Sequence, residues 1–209
     1  MPEMLIPRIF HRFWIGRPMP ERFVEYGKTW ERHHPGWTMR LWDDQSVRPL
    51  INQHGYDSER NLAIKADVAR YEILLRHGGV YIDTDFECFK NLEPLLAGVT
   101  ACAAYEQQGA TIANGLIASV PQHPFIAELV RRVGLLLPRD PQSGIKTGPA
   151  LMRRVFNDLG PESLTVLPQK FIYPFIWTTP EPDDIQAEFP EAYAAHHYVG
   201  SRLLRGWKD

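Results

Sequence analysis

Apolar and polar residues alternate along the chain with the periods of a mixed α/β protein. The segment IPRIFHRFWIG, residues 6–16, interleaves β-branched and aromatic residues with Arg and His and leads into a Pro-rich turn, which predicts a first strand. ERFVEYGKTWERHHPGW predicts a short helix that ends near Pro35, and TMRLW predicts a second strand. The chain is therefore expected to open as β-α-β.

A helix is predicted over residues 58–77. Ser58 is a candidate N-cap, apolar residues recur at helical spacing from Leu62 to Ile73, and the pair Gly78-Gly79 follows where a left-handed C-cap is wanted. The apolar run VYI comes directly after these glycines, so it is expected to be a central strand. That strand leads straight into the acidic stretch DTD.

The second half of the chain continues the alternation of strands and helices. VTACAAYE and ATIANGLIAS predict two strands, HPFIAELVRRVGLLL an amphipathic helix closed by Pro138, residues 149–158 another helix and LTVL a strand. The polar loop RDPQSGIKTGP is of a kind that often contacts ligands, and residues 168–195 show no clear periodicity. These elements predict a single α/β domain over residues 1–209, with a mostly parallel sheet and a ligand at the carboxyl ends of its strands.

Net charge and cysteine content indicate which kinds of partner and which cellular compartment to expect. The net charge of -2 over 209 residues offers no general attraction for nucleic acid or an anionic membrane. Cys88 and Cys102 are too few for a disulfide framework and are expected to be core thiols in a reducing cytosol. No run of 18 apolar residues occurs, and the first residues lack the apolar core of a signal peptide. The expected location is cytoplasmic, either free or peripheral at the inner face of the membrane.

The stretch DTD concentrates negative charge at the end of a predicted buried strand. Asp83 and Asp85 are two apart, so in an extended segment they point the same way and repel each other unless a cation lies between them. Oxygen ligands without thiolates favour Mg²⁺ or Mn²⁺, ions that typically bridge carboxylates to a substrate diphosphate. The alternative is an ordinary solvated acidic turn.

The preceding helix supports the metal interpretation. Asp67 and Arg70 are three residues apart and share a face with Tyr71. Exposed, they would be a surface ion pair contributing about 0.3 kcal/mol. The helix is predicted to be largely buried, however, and a buried Asp and Arg need specific partners.

The same residues carry a family resemblance. AIKADVARYEILLRHGGVYIDTDFE resembles the sugar-nucleotide signature of glycosyltransferase family 32, which contains a DXD motif and includes yeast initiating mannosyltransferases and bacterial capsule transferases. IPRIFHRFWIG resembles the opening "IPKIIHxIWxG" of that family and HHPGWTMRLWDD its "xxPxxxxxLW" element. KTGP resembles its "TGP" loop, and AAHHYVGS its C-terminal "HHxxxS". These blocks occur in the same order over nearly the whole chain.

The resemblance implies a GT-A-like, Rossmann-like nucleotide-sugar-binding domain. Trp14 would stack on the nucleobase of the donor. Asp67 and Arg70 would hydrogen-bond hydroxyls of the donor's ribose or sugar, with Tyr71 beside them, because Arg suits a multi-donor clamp. Asn114 matches a position near the transferred sugar.

The resemblance also implies a metal site that draws on the C-terminal residues. Asp83 would contact the donor and help hold the metal, and Asp85 would ligate it directly. Related family-8 transferases place a metal-binding His in an "HYxG" tail, which favours His197 over His196 as a further ligand. Ser201 would contact phosphate. The family usually continues Ser-Trp, whereas Arg202 follows here, which puts closure of the tail over the nucleotide in doubt.

The predicted function is a metal-dependent, retaining transfer of a sugar from a UDP- or GDP-sugar to a hydroxyl acceptor on a glycan, polysaccharide or glycolipid. Residues 146–149 are candidates for the acceptor side. One alternative is a haloacid-dehalogenase-type phosphohydrolase with Asp83 as nucleophile, although that class wants Thr or Val where Phe86 follows the motif. The other alternative is a non-catalytic sugar-nucleotide-binding module. The sequence does not predict the donor nucleotide, the acceptor or the oligomeric state.

Overall fold

The computed structural model describes residues 3–107, 109–137 and 147–200. Within these ranges the secondary structure runs in the following order: β1 Ile9–Phe13, α1 Glu21–His33, β2 Thr38–Trp42, α2 Gln53–Ser58, α3 Leu62–His77, β3 Gly79–Ile82, β4 Phe86–Cys88, α4 Glu93–Leu96, β5 Ala101–Gln107, β6 Thr111–Ser119, α5 Pro124–Leu136, α6 Pro149–Leu159, a 3₁₀ turn Pro161–Ser163, β7 Thr165–Leu167, α7 Gln169–Ile172, α8 Ile185–Glu188 and β8 Ala194–His196.

Six strands form the central sheet, in the order β2-β1-β3-β6-β5-β7. β1 pairs in parallel with both β2 and β3, and β5 pairs in parallel with β7, whereas β6 runs antiparallel to its neighbours β3 and β5. The prediction of an α/β fold with a mostly parallel sheet is therefore confirmed. A separate two-stranded sheet pairs β4 with β8.

Both faces of the central sheet are covered. Tyr81 and Ile117 point into one core layer, which contains buried residues of α3, α5 and α6. Val80, Ile82 and Leu116 point into the other layer, together with residues of α1 and of the β4–β8 sheet. Strands buried on both faces leave no solvent face for a polar side chain, so any such side chain needs an internal partner.

The predicted helix over residues 58–77 was placed too early in the chain. α2 already ends at Ser58, whose hydroxyl donates to the carbonyl of His54 at 2.8 Å, and α3 begins only at Leu62. The N-cap of α3 is Asn61, whose side chain accepts from the backbone N–H of Ala63 at 2.9 Å. Asn61, three residues beyond Ser58, is as favourable an N-cap residue as serine, so cap preference alone does not determine where the helix begins.

The end of α3 agrees with the prediction. Gly78 and Gly79 have φ values of +62° and +86°, which glycine adopts without strain. A Cβ on Gly79 would lie 2.6 Å from the carbonyl oxygen of Ile9, so the close passage of β3 beside β1 also requires glycine there. The helix therefore turns directly into the central strand that carries the acidic motif.

The remaining sequence predictions have mixed outcomes. The strands 101–107 and 111–119 and the helices 124–136 and 149–159 lie where they were expected. Cys88 and Cys102 are buried free thiols, as predicted. Residues 168–195, which lack periodicity, contain two short helices and the start of β8. No helix in the described ranges is both long and apolar enough to cross a membrane.

Candidate active site

The acidic motif forms a tight turn at the carboxyl end of β3. The backbone N–H of Asp83 donates to the carbonyl of Gly115 on β6 at 2.8 Å, and the N–H of Phe86 donates back to the carbonyl of Asp83 at 3.2 Å. The turn is thus held by the neighbouring strand and by its own return into β4. It lies at the sheet edge where α/β folds bind ligands.

Arg70 on α3 connects the helix to this turn. Its Nη2 lies 3.4 Å from Asp67 Oδ1 and 3.2 Å from Asp83 Oδ1, and its Nη1 donates to the backbone carbonyl of Asn114 at 2.5 Å. The guanidinium also lies over the ring of Tyr81, 4.7 Å from its centroid. The sequence-predicted pair Asp67 and Arg70 is therefore part of a buried network and not a surface ion pair.

Further buried polar side chains hold Asp67 in place through hydrogen bonds. Asn114 Nδ2 donates to Asp67 Oδ1 at 2.7 Å, and Thr147 Oγ1 donates to Asp67 Oδ2 at 2.7 Å. The hydroxyl of Tyr71 accepts from Asn114 Nδ2 at 3.1 Å and donates to the Thr147 carbonyl at 2.8 Å. Each carboxylate oxygen of Asp67 therefore has an internal donor, and this keeps the aspartate and Arg70 in place.

Burial and ion pairing oppose each other in this network. Burial raises the pKa of Asp67 and of Asp83, while the nearby Arg70 charge acts in the opposite direction. Burial alone would lower the pKa of Arg70, but Asp83, Tyr81 and Asp67 together more than compensate, so Arg70 stays charged. A fixed cation thus faces the acidic turn.

Asp85 is bound by the C-terminal segment. Its Oδ1 lies 2.9 Å from His196 Nε2, and its Oδ2 accepts from the backbone N–H of Val199 at 3.0 Å. The N–H of His197 donates to the Asp85 carbonyl at 3.0 Å. Burial would raise the pKa of Asp85, but the His196 charge and these hydrogen bonds lower it to about 2. The carboxylate is therefore ionised.

The two adjacent histidines occupy different environments. The pairing of β4 with β8 sets Phe86 opposite His196, and their rings stack at 4.6 Å. His197 points away: its Nδ1 lies 2.6 Å from Glu181, its Nε2 lies 3.2 Å from Glu87, and its ring stacks on Tyr26 at 4.3 Å. The structure thus brings the ring of His196, and not that of His197, to Asp85, whereas the sequence favoured His197 as the further metal ligand.

Arg12, which was not predicted from the sequence as a functional residue, stabilises the acidic turn through its backbone. Its Nη2 donates to the carbonyl of Thr84 at 2.7 Å and to the carbonyl of Phe23 at 2.5 Å. The side chain is buried, and Gly27 makes room for it, since a Cβ there would lie 2.3 Å from Arg12 Nη1. An arginine within the buried strand pattern FHRF was the available signal.

These groups converge on a cavity of about 710 Å³, hereafter the first cavity. Trp14, Phe23 and Leu62 contribute apolar wall, and Asp83, Asp85, Arg70 and His196 contribute its polar part. Asp67, Tyr71 and Asn114 lie behind Arg70 and are not among the residues that line the cavity, so direct contact of these three with a donor stays a prediction. Ser201 and Lys146 lie outside the described residues; Gly200 reaches the cavity rim.

The two aspartates of the acidic turn have different partners. No group of three or more His, Cys, Asp and Glu side chains in the described ranges has the geometry to hold a metal ion. Asp83 is turned toward Arg70 and Asp85 toward His196. The two carboxylates nevertheless line one cavity, which makes them available to a ligand that carries positive charge.

The fold first defines the class. The PaToxG glycosyltransferase superimposes with a TM-score of 0.65 over 75% of this chain and 70% of its own, at 16% identity. The UDP-bound glycosyltransferase domain from the YGT toxin superimposes with a TM-score of 0.60, covering 79% of this chain and 80% of its own, at 12% identity. At such identities the likeness shows the fold alone, which is that of the GT-A glycosyltransferases.

Sequence comparison then shows which family the chain is similar to. Residues 20–101 match the family described as glycosyltransferase sugar-binding region containing DXD motif. Inositol phosphoceramide mannosyltransferase 1 of Schizosaccharomyces pombe is 33% identical over an alignment 141 positions long, which covers 61% of this chain and 43% of that protein. The chain spans between 36% and 43% of the length of the first curated relatives it matches. The chain is thus similar to the DXD glycosyltransferases, which confirms the predicted resemblance.

Proposed function

We propose that the chain transfers a hexosyl group from a nucleotide-diphosphate sugar to a hydroxyl acceptor, with a divalent cation at Asp83 and Asp85. The observation that carries the proposal is the convergence of both aspartates, Arg70 and His196 on the first cavity, which Trp14 also lines. A cavity with both an aromatic and a charged lining suits a nucleotide, whose base stacks on aromatic rings and whose diphosphate is anionic.

The donor atoms available at the turn fit the expected metal. Two carboxylates without thiolate match the ligand preference of Mn²⁺ and Mg²⁺, and the added imidazole suits Mn²⁺ better than Mg²⁺. When bound, such an ion neutralises charge that develops on the departing diphosphate. We assign the ligand roles to Asp83, Asp85 and His196, in preference to His197, whose ring nitrogens face Glu181 and Glu87.

The protein side chains would orient the donor around that ion. Arg70, anchored by Asp67 and by the carbonyl of Asn114, presents a fixed positive charge beside Asp83. Such a guanidinium can donate several hydrogen bonds to sugar hydroxyls or phosphate oxygens without reorganising. Trp14, which lines the first cavity, would stack on the nucleobase. We further propose that the transfer retains the anomeric configuration of the donor sugar. In such a mechanism the departing diphosphate assists deprotonation of the acceptor.

The names of relatives suggest which substrates to test first. Inositol phosphoceramide mannosyltransferase 1 points to mannose as the transferred sugar and to a glycolipid acceptor, while the UDP-bound toxin domain keeps uridine donors open. Both nucleotides therefore belong in the test. The phosphohydrolase alternative is not favoured, because the family and the fold are those of glycosyltransferases.

Hydrolysis of the donor in the absence of acceptor tests the proposal. We expect the purified chain with Mn²⁺ to hydrolyse GDP-mannose or a UDP-hexose and to lose this activity with EDTA. Asp85→Asn is expected to lower the metal-dependent rate by about 100-fold or more, because it removes a charged ligand. The matched control is Asp183→Asn, at an exposed position outside the first cavity.

Thermal shift distinguishes a binding module from an enzyme. A ligand at 100 times its dissociation constant should add about 2.7 kcal/mol to the free energy of unfolding. Stabilisation by Mn²⁺ and donor without any hydrolysis or transfer would identify a non-catalytic module. Cleavage of simple phosphate esters, with no activity on sugar nucleotides, would contradict the proposal. So would metal-dependent activity that survives in Asp85→Asn.

A further inference from the structure

A second cavity, of about 960 Å³, lies beyond the end of β5 and shares no described lining residue with the first cavity. Its described lining comes from the β5–β6 turn, from α7, from residues 174–182 and from the end of α8. Because β5 is parallel to β3, the ends of both strands lie at the same edge of the sheet. The second cavity is therefore on the same side of the molecule as the acidic turn.

The two cavities flank the C-terminal segment 196–199. Glu181 lines the second cavity and lies 2.6 Å from His197 Nδ1, and the N–H of His197 donates to the carbonyl of Asp85 at 3.0 Å. Phe175 lines the second cavity and contacts Tyr198, a first-cavity residue, with 6.4 Å between ring centroids. Residues 196–199 thus lie between the lining residues of the two cavities. Such an arrangement is expected where two substrates meet at one reaction centre.

The lining of the second cavity has the chemistry of a carbohydrate site. The rings of Phe175 and Phe189 lie 6.4 Å apart and offer apolar faces to the C–H surface of a sugar. Gln107, Thr179, Glu181 and Glu188 place amide, hydroxyl and carboxylate groups around these rings, and such groups pair with sugar hydroxyls.

The charge of this lining selects among acceptors. Two glutamates line the second cavity, and no lysine or arginine is among the described residues that do so. Glu181 is paired with His197 at 2.6 Å, so Glu188 is the lining glutamate whose charge would repel a phosphate on the acceptor. A neutral acceptor has no such cost.

We propose that the second cavity is the acceptor site and that it takes the uncharged, hydroxyl-rich end of a glycan in preference to a phosphate-bearing acceptor. This inference rests on the proposed function for the activity that it serves. Binding of the glycan to the second cavity is a separate, directly measurable property.

The first experiment blocks the cavity. Ala110→Trp places a bulky side chain at an exposed position of the lining, and Leu135→Trp makes the same change at an exposed position on α5, away from both cavities. With the donor and Mn²⁺, we expect Ala110→Trp to raise KM for methyl α-D-mannopyranoside by about 10-fold and to leave donor hydrolysis unchanged. Leu135→Trp should leave both unchanged.

The second experiment changes the charge of the lining. Glu188→Lys replaces an exposed glutamate of the second cavity, and Glu162→Lys is the matched control outside it. Wild type should use methyl α-D-mannopyranoside better than myo-inositol 1-phosphate. We expect Glu188→Lys to raise the relative kcat/KM of the phosphate-bearing acceptor about threefold, and Glu162→Lys to leave the ratio unchanged.

Saturation-transfer NMR with methyl α-D-mannopyranoside separates the two proposals. A glycan signal that disappears in Ala110→Trp supports the second cavity even if no sugar nucleotide is hydrolysed, in which case only the proposed function fails. Normal donor hydrolysis with transfer and glycan signal unaffected by Ala110→Trp overturns the acceptor site. Preference of the wild type for myo-inositol 1-phosphate overturns the neutral class of acceptor.

Discussion

His11 on β1 should make the stability of the fold depend on pH. It is fully buried, and Trp42 Nε1 lies 3.0 Å from its Nδ1. Because an indole N–H can only donate, Nδ1 is the acceptor, and the proton is on Nε2, which donates to the carbonyl of Gly78 at 3.0 Å. This neutral tautomer connects β2 to the end of α3 through β1.

Protonation of His11 is strongly disfavoured in the folded state. Burial lowers its pKa from 6.5 to about 4, and the charges of His77 and Arg40 act in the same direction, while the Gly78 carbonyl opposes them. Between these two pH values the unfolded chain binds a proton that the folded chain does not, so the free energy of unfolding falls as the pH falls. The difference corresponds to roughly 3 kcal/mol in total, of which about 2 kcal/mol is lost by pH 5.

Urea denaturation at pH 7.5 and pH 5.0 measures this effect. We expect the drop in the free energy of unfolding to be about 2 kcal/mol larger for wild type than for His11→Gln, which removes the titrating group. His54→Gln, at an exposed position on α2, should leave the drop unchanged. An equal drop in wild type and His11→Gln would refute the assignment of a buried neutral imidazole.

Two further predictions concern the supports of the acidic turn. His196→Asn should weaken Mn²⁺ binding, followed by calorimetry in the presence of GDP or UDP, by about 10-fold or more, whereas His197→Asn should change it by less than about twofold. Equal losses of Mn²⁺ affinity in the two variants would show that the placement of the two rings does not decide which histidine binds the metal. Arg12→Met should lower the free energy of unfolding by about 2 kcal/mol, since it leaves the buried Thr84 carbonyl without its donor. Gly27→Ala should have a smaller effect of the same sign, because its Cβ would displace the guanidinium; denaturation curves that overlay wild type for both variants would exclude this support.

Sequence reasoning succeeded where the signal was local and repeated. The helical spacing from Leu62 to Ile73, the glycine pair and the run VYI together predicted how α3 leads into β3 and the acidic turn. The i,i+3 relation of Asp67 and Arg70 likewise placed both side chains in one network. These features depend on neighbours a few residues away, so periodicity and capping were sufficient.

The features that the sequence did not decide depend on distant pairings. His196 and His197 are adjacent, and which of them faces Asp85 is set by the register of two three-residue strands on which Phe86 pairs with His196. Neighbouring side chains on a strand point to opposite sides, so a one-residue difference in register exchanges the roles of the two histidines. No pattern within residues 194–200 carries that information.

Arg12 was missed for a related reason. Alternation in IPRIFHRFWIG is typical of a strand with one solvated face, on which an arginine needs no explanation. In the sheet, however, β1 lies between β2 and β3 and both of its faces are covered, so Arg12 donates to backbone carbonyls. The sequence did not predict the second cavity. Residues 174–189, which form much of it, are mostly irregular chain, and periodicity does not predict the course of such chain.

The pairing of β4 with β8 has a consequence for synthesis on the ribosome. Contacts between segments more than 100 residues apart form late, since both partners must have left the exit tunnel. A nascent chain that has emerged only through β7 would have all six strands of the main sheet but no imidazole beside Asp85. Competence to engage a sugar nucleotide would therefore be acquired only once residues 194–199 have emerged, after most of the hydrophobic core has already formed.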